Sequence, residues 1–226
     1  MVDERKIDIL IFDFDGTLHN AKKLVLRSFR ICKQKISIDM SEELFLRLFG
    51  KSLTDVRDIL SKDFNERDIT SFLDCYFKTL LKIAETGEMS LFPGTISVLE
   101  RLKNTRWKLA LCTNVHTPFI DIYRRIFNLD RYFQSYYWAD KDQEEIIPKE
   151  KMIKNILKEF NTNYAVMIGD RSIDINAAQK NDILTVGCLY GFGSREELKN
   201  ADYLINSIEE LPDLLFKISK SSPKIK

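Results

Sequence analysis

The sequence contains few histidines and cysteines, the residues that mark metal-binding and disulfide-rich proteins. It carries 2 histidines and 4 cysteines among 226 residues, and the cysteines show no Cys-x-x-Cys spacing. We interpret these scattered cysteines as small buried hydrophobic residues of a protein in a reducing compartment. They are Cys32, Cys75, Cys112 and Cys188.

The sequence also lacks an excess of either charge and any long apolar run. Its 35 Lys and Arg residues balance 34 Asp and Glu residues, which argues against a dedicated nucleic-acid binder because such proteins need a basic surface. The charged N-terminus leads into an apolar run that Asp8 interrupts early, so neither a signal peptide nor a membrane span is indicated. We expect a soluble cytoplasmic protein without nucleic-acid or membrane partners.

What the sequence does contain is a short apolar stretch that ends in two carboxylates. Ile9–Phe12 is typical of a buried strand, and Asp13 and Asp15 follow it. With a strand's period of two, both carboxylates point to the same side, and such a pair is unfavourable without a nearby cation. Gly16 allows a sharp turn and the close approach of a ligand. This stretch therefore indicates a place where a divalent cation and an anion are held together.

Strands and helices alternate along most of the chain, and a block of helices interrupts them. The pattern predicts helices from Asn20 to Thr86, including a long amphipathic helix over Glu66–Glu85. Further strands are predicted near residues 108–114, 136–138, 164–168, 183–187 and 203–205, with helices between them. We expect an α/β protein with a Rossmann-like, doubly wound parallel sheet in a core domain (1–19 and 88–219), an inserted all-helical cap domain (20–87) and a disordered tail (220–226).

The first helix of the block has a predicted apolar face and a basic face. Leu24, Ser28, Ile31 and Cys32 share one side, which predicts that they are buried. We interpret the basic side chains as a solvated face, which would steer anions if part of it faced a cleft. The basic residues are Lys22, Lys23, Arg27, Arg30, Lys33 and Lys35.

Polar residues follow the predicted strands at the edge where an open parallel sheet binds ligands. Thr113 and Asn114 end the second strand, and Asp170 ends the fourth, with Asp174 where the next helix is predicted to begin. Lys149 lies just before a helix predicted over residues 151–160. The aspartates alone would repel each other and any anion. A hard cation, most simply Mg²⁺, removes that repulsion and attracts a phosphate, and a lysine neutralises the remaining charge.

These residues, in this order, resemble the four motifs of the haloacid dehalogenase superfamily, in particular its phosphoglycolate phosphatase-like branch. The motifs are Asp13-x-Asp15-Gly16-Thr17, Thr113-Asn114, Lys149 and Gly169-Asp170-x-x-x-Asp174. The resemblance spans the whole chain, and the helical block is similar to the small helical cap of that branch. It implies a phosphatase that uses Mg²⁺ and acts on a small phosphorylated metabolite.

The resemblance also implies a role for each motif residue. Asp13 would be the nucleophile that forms an aspartyl-phosphate, and Asp15 would protonate the leaving oxygen and then activate water. Mg²⁺ would be held by the carboxylate of Asp13, the backbone carbonyl of Asp15 and Asp170. Asp174 would support the metal through water or hold Lys149 in place.

Gly16, Thr113 and Asn114 would bind the phosphoryl group. The third motif departs from the family pattern, since relatives usually carry Lys-Pro-x-Pro and here Pro148 precedes the lysine. Lys149 is our choice for the catalytic lysine, and Lys151 and Lys141 stay open as alternatives.

Four further features each allow both a structural and a functional interpretation. His19 and His116 lie next to motif residues and either contact substrate or serve as hinge or surface residues. Gly191-Phe192-Gly193 resembles half of a dinucleotide fingerprint, but the third glycine is missing, and a plain loop is favoured. Lys51 lies where relatives place a specificity loop, and a substrate contact there is a hypothesis.

The sequence thus predicts an Mg²⁺-dependent phosphatase of small phosphomonoesters, such as phosphoglycolate-like, sugar or nucleotide phosphates, acting as a monomer or homodimer. Two alternatives stay open. One is a phosphosugar mutase of the β-phosphoglucomutase type, and the other is a non-catalytic binding module of the same fold.

Overall fold

The computed structural model describes residues 7–51, 53–141 and 146–220. Ser52 and residues 221–226 of the predicted tail lie outside the described residues, and Lys220, which was also assigned to the tail, ends a helix. Within the described ranges the main elements are β1 (Ile9–Phe12), α1 (Lys22–Ile36), α2 (Glu42–Leu48), α3 (Leu53–Leu60), α4 (Glu66–Glu85), α5 (Thr95–Lys103), β2 (Lys108–Thr113), α6 (Phe119–Phe127), β3 (Ser135–Trp138), α7 (Lys149–Glu159), β4 (Ala165–Gly169), α8 (Ser172–Gln179), β5 (Leu184–Cys188), β6 (Tyr203–Ile205) and α9 (Leu211–Lys220).

The six strands form one parallel sheet in the order β3-β2-β1-β4-β5-β6. The chain builds outward from β1 to β2 and β3, and then crosses over to place β4 on the other side of β1. The strand order therefore reverses at β1, and the carboxyl ends of β1 and β4 flank the switch point. Phe12 is in register with Ile168, so the residues after these two strands emerge side by side. The predicted doubly wound α/β sheet is confirmed.

The chain divides into two compact units, and the sheet lies in one of them. This core unit runs to Asn20 and resumes at Leu91. Its two central strands, β1 and β4, are apolar and buried along their whole length, and all four residues of β1 lack exposure. One layer of its core packs α7 and α8 against the sheet through Ile9, Ile11, Met152, Ile153, Ile156, Met167 and Ala178. Continuous apolar strands of this kind are typical of a parallel sheet covered by helices on both faces.

The second unit, Ala21–Ser90, consists of α1 to α4. Its core contains an aromatic cluster in which the ring of Phe29 stacks on Phe45 with centroids 4.5 Å apart and meets Phe72 edge-on at 5.9 Å. Two of the helices begin at side-chain caps, since Ser41 accepts from the Leu44 amide and Asn65 from the Asp68 amide.

The structure corrects the predicted apolar face of α1. Leu24, Ser28 and Cys32 are buried as predicted, but Ile31 is 44% exposed. Phe29, outside the predicted face, is fully buried instead. The buried stripe is therefore rotated toward the residues that meet α4, because the contact with that helix decides which face is covered.

The interpretation of the cysteines is wrong for one pair. Cys32 in α1 and Cys75 in α4 form a disulfide within the helical unit, so the cysteines give no support to a reducing compartment. Cys112 and Cys188 are free and buried as predicted, and burial raises the pKa of the Cys112 thiol to about 12. In the described part of the chain, no helix combines the length and the apolar character needed to cross a membrane.

Two helices begin two residues earlier than predicted. The predicted helix over residues 151–160 starts at Lys149, with Pro148 as the capping residue. The helix predicted from Asp174 starts at Ser172. The first shift places Lys149 in the first turn of α7 instead of in the loop before it, and the second leaves Asp174 within the first turn of α8.

We predict that Phe29→Ala destabilises the helical unit strongly, because removal of the buried ring leaves a cavity in the core of that unit. The expected loss of unfolding free energy is about 3–5 kcal/mol, measured by urea unfolding. Ile31→Ala in the same helix is the matched control and should cost no more than about 0.5 kcal/mol, since its side chain lies partly in water. Equal losses for the two variants would contradict the packing described for α1.

Candidate active site

A buried lysine links two aspartates at the switch point of the sheet. Asp13 directly follows β1, and its amide donates to the Ile168 carbonyl in β4 at 2.9 Å. The ammonium of Lys149, the first residue of α7, lies 2.6 Å from Oδ1 of Asp13 and 2.5 Å from Oδ1 of Asp174. All three side chains are at least nine-tenths buried, with exposures of 3%, 9% and 1% for Lys149, Asp13 and Asp174. These charges therefore interact with little screening by water.

The end of β4 and the start of α8 supply the other acids. Asp174 accepts from the Arg171 amide through Oδ2 at 2.9 Å, in a capping arrangement at the start of α8. Asp170, which follows β4, accepts from the Thr17 hydroxyl at 3.2 Å and from the Phe192 amide at 2.7 Å. Each carboxylate is therefore held by neutral donors of the chain and has a fixed orientation.

The carboxylates of Asp13, Asp170 and Asp174 converge, each offering one oxygen within 4.8 Å of the others. Burial raises the pKa of Asp13 to about 7, and the attraction of Lys149 offsets this only in part. Burial, with repulsion from Asp13, raises the pKa of Asp170 well above its usual range. Burial also opposes the charge on Lys149, but the attraction of the acids outweighs it and raises the pKa of that ammonium.

The donor set fits a divalent cation. When all groups are ionised, three carboxylates face one ammonium, and this leaves two negative charges in a buried site. Carboxylate oxygens without histidine or thiolate are the ligands that Mg²⁺ prefers, with one or two carboxylates bound directly. A divalent ion would neutralise the excess charge that burial makes unfavourable.

Asp15 lies outside this cluster of carboxylates. Its side chain turns to His19, whose Nδ1 lies 2.6 Å from Oδ1 of Asp15. The metal ligand predicted from this residue is its backbone carbonyl, and that role stays a prediction. The two aspartates of one motif thus have different partners, Lys149 for Asp13 and His19 for Asp15.

The structure separates the three lysines that the sequence left open. Lys149 reaches the acids, whereas Lys151, two residues further along α7, is exposed. The ammonium of Lys141 donates to the Tyr136 carbonyl at 2.6 Å and lies 3.8 Å from the centre of the Tyr137 ring.

The second motif ends β2 as expected. Thr113 is its last residue and is buried, and its hydroxyl accepts from the Val115 amide at 3.3 Å. Asn114 follows at a half-buried position. His116, two residues on, pairs with Asp140 at 3.4 Å.

The remaining features of the helical unit lie on its surface. Lys51 is exposed. Three basic residues of α1 pair with acids of the same unit: Arg27 with Glu88, Arg30 with Glu42 and Lys33 with Asp39. These side chains therefore agree with the interpretation of the basic residues of α1 as a solvated face.

Sequence reasoning missed the role of the loop after β5. Gly191-Phe192-Gly193 is a loop, as favoured, but it packs directly against Asp170. A Cβ built on Gly191 or Gly193 would lie well under 3.0 Å from atoms of Asp170, and one on Gly16 would meet the same carboxylate from the other side. The signal in the sequence was the spacing of the glycines, which indicates a close approach of two backbones.

A second missed contact fixes the loop before α8. The guanidinium of Arg171 donates to Glu197 at 2.8 Å, and the same carboxylate accepts from the amide and hydroxyl of Ser172. These donors lower the pKa of Glu197 although burial works in the opposite direction. Glu197 therefore anchors the segment that carries Asp170 and Asp174.

A doubly wound sheet with buried acids and a lysine at its switch point defines an α/β enzyme with an oxygen-lined polar site. A family model described as haloacid dehalogenase-like hydrolase matches residues 10–188. The chain belongs to the haloacid dehalogenase-like hydrolases, and the resemblance seen in the motifs is confirmed.

Individual relatives are similar over nearly the whole chain. A pyrophosphatase PpaX from Listeria monocytogenes is 26% identical over 91% of this chain and 95% of its own length. A 5'-nucleotidase from Pseudomonas aeruginosa is 27% identical, covering 84% of this chain and 86% of its own. A crystal structure of a predicted phosphatase from Clostridium acetobutylicum, 29% identical, has a TM-score of 0.78 over 93% of this chain and 99% of that one. The predicted class of enzyme, a phosphatase of this family, is confirmed.

We predict that Gly191→Ala reduces activity more than stability. The added methyl group would collide with the side chain of Asp170 and with the Gly16 carbonyl, and a displacement of about 1 Å at a reacting centre can cost roughly 10²-fold in rate. The measurement is kcat/KM with an aryl phosphate beside the melting temperature. In the control Gly87→Ala, no atom lies within 4 Å of the new methyl group but φ is +77°. The control should lose some stability and keep its activity, and an unchanged kcat/KM in Gly191→Ala would show that this contact is not needed.

Proposed function

We propose that this phosphatase hydrolyses small phosphomonoesters with Mg²⁺ through an aspartyl-phosphate on Asp13. The observation that carries the proposal is the contact of Lys149 with Asp13 and Asp174 inside a buried cluster of three carboxylates. This arrangement combines a carboxylate nucleophile, a fixed positive charge and oxygen ligands for a cation in one place. Phosphoglycolate-like, sugar and nucleotide phosphates are the substrates we propose, and the relative named 5'-nucleotidase supports the nucleotide phosphates among them.

The metal would be held by the carboxylates of Asp13 and Asp170 and by the backbone carbonyl of Asp15, with Asp174 in support. When bound, the ion would supply the positive charge that the transferring phosphoryl group requires. The chain's own contribution is to hold these acids at fixed positions, through Phe192 and Thr17 for Asp170.

In the first step, an oxygen of Asp13 attacks phosphorus. The new bond from this oxygen to phosphorus forms as the bond from phosphorus to the ester oxygen breaks, and Asp15 gives a proton to the leaving oxygen. Lys149 neutralises charge on Asp13 and on the incoming phosphoryl group. In the second step, Asp15 takes a proton from water as that water attacks phosphorus, which releases phosphate and restores Asp13.

We assign Thr113 and Asn114 to the phosphoryl oxygens because Thr113 ends β2, the strand beside β1 in the sheet, and Asn114 directly follows it. We assign the helical unit Ala21–Ser90 the role of a cap. All motif residues lie in the core unit, so the helical unit is free to determine which ester is accepted.

The experiment that tests substrate choice is a panel with released phosphate as the readout. It includes inorganic pyrophosphate, 5'-nucleotides, phosphoglycolate and hexose phosphates, each with Mg²⁺. Release from one chemical class with kcat/KM well above the others would define the substrate. Formation of an isomeric sugar phosphate without free phosphate would instead assign the mutase alternative.

We predict that Asp13→Asn lowers phosphate release by several orders of magnitude, because an amide oxygen is a far weaker nucleophile than a carboxylate. Acid-quenched wild-type enzyme should carry a phosphoryl group on the peptide that contains Asp13, and the variant should not. Asp121→Asn, at an exposed position of α6, is the control and should keep full activity. Unchanged turnover in Asp13→Asn would overturn the mechanism.

We predict that removal of divalent ions with a chelator abolishes turnover and that Mg²⁺ restores it. Added Mg²⁺ should also raise the melting temperature, because an ion that binds the folded state relieves repulsion among buried carboxylates. Asp170→Asn should raise the Mg²⁺ concentration needed for half-maximal activity. Full activity in the metal-free protein would argue against a metal at this cluster.

A further inference from the structure

His19 is fully buried directly beneath the second aspartate of the first motif. It lies in the turn after β1, where its amide donates to the Phe14 carbonyl at 2.9 Å and its carbonyl accepts from the Gly16 amide at 2.9 Å. Its imidazole Nδ1 lies 2.6 Å from Oδ1 of Asp15. The side chain of Asp15 is 15% exposed, whereas that of His19 has no exposure. The imidazole therefore supports the carboxylate from the protein side and cannot itself reach a substrate.

Aromatic rings fix the orientation of this imidazole. Its ring stacks on Phe14 at 5.5 Å and contacts Tyr123 at 5.3 Å and Phe127 at 5.8 Å, both from α6. Among the described residues, its Nε2 is buried without a hydrogen-bond partner. Native proteins rarely leave a buried polar atom unpaired, because this destabilises the folded state. A histidine that is kept here despite its unpaired Nε2 indicates that its other ring nitrogen has a function. The gain visible in the structure is the single hydrogen bond of Nδ1 to Asp15.

We propose that His19 is a positioning residue that holds Asp15 in the orientation needed for proton exchange with the substrate oxygen. This inference rests on the proposed function, in which Asp15 gives a proton to the leaving oxygen as Asp13 bonds to phosphorus and the ester bond breaks. The hydrogen bond fixes Oδ1 of Asp15 and leaves Oδ2 as the oxygen that is not tied to His19. A carboxylate that is locked by packing and a hydrogen bond loses less freedom when it reacts than one that rotates freely.

The role predicts an effect that depends on the leaving group. An ester whose leaving group is a weakly basic phenolate departs without a proton, whereas an alkyl ester needs proton donation as the bond breaks. A variant that misplaces Asp15 should therefore lose kcat/KM for alkyl phosphates and retain it for 2,4-dinitrophenyl phosphate. A variant that is merely less well folded loses both in proportion, so the ratio of the two values on one preparation is independent of the active fraction.

The experiment measures kcat/KM for 2,4-dinitrophenyl phosphate and for an alkyl phosphate in wild type and three variants. His19→Leu fills the pocket without a hydrogen bond, and we expect it to lower the alkyl-to-aryl ratio by roughly 10²-fold, the usual contribution of one general acid. His19→Asn places an amide nitrogen close to the position of Nδ1 and should recover most of the ratio. His19→Gln places its amide nearer the position of Nε2 and should not.

His116→Leu is the control, because this histidine pairs with Asp140 and has no place in the proposed chemistry. It should leave the ratio unchanged. An equal loss for both esters in His19→Leu, or no difference between His19→Asn and His19→Gln, would overturn the positioning role. Absence of phosphate release from either ester in the wild type, or normal release in Asp13→Asn, would instead overturn the proposed function itself.

Discussion

The structure of the core unit depends on how it accommodates like charges that burial brings together. Asp13, Asp170 and Asp174 each place one carboxylate oxygen within 4.8 Å of the others, and all three residues are buried. Their mutual repulsion opposes folding, and the ammonium of Lys149 offsets part of it through two short contacts. Removing either partner of such a pair leaves an uncompensated buried charge, so the contacts of Lys149 are needed to keep these carboxylates together.

Topology explains why residues so distant in sequence form this cluster. Lys149 and Asp13 are 136 residues apart, but the crossover that places β4 beside β1 brings the loops after both strands to one edge of the sheet. Glycines then allow the closest approach. Gly16 on one side and the loop with Gly191 and Gly193 on the other leave no space for a methyl group beside Asp170. The position of this carboxylate is therefore set by backbone, which moves less than side chains do.

The sequence was informative where one local signal decides the outcome. Hydrophobic periodicity predicted the bounds of α4 without error, and the motifs contained the four residues that meet at the switch point, which are Asp13, Lys149, Asp170 and Asp174. It was less informative where a distant partner decides. The buried face of α1 depends on α4, so Ile31 was placed wrongly, and the Cys32–Cys75 pair spans 43 residues with no spacing that reveals it. The contact of Phe192 with Asp170 likewise exists only once β5 lies beside β4.

The different partners of Asp13 and Asp15 explain how one short motif can serve two chemical purposes. Under the proposed mechanism, Asp13 must remain an anion near other anions, and its contacts with Lys149 and with a bound cation favour that state. Asp15 must gain and lose a proton in every cycle, which would be costly inside a cluster whose charges are balanced against each other. Its side chain instead turns to a fully buried imidazole, apart from the three converging carboxylates. Under that mechanism, proton exchange at Asp15 would disturb the charge balance of Asp13, Asp170 and Asp174 less than an exchange among those three would, although the charge of Asp15 still acts on Asp13.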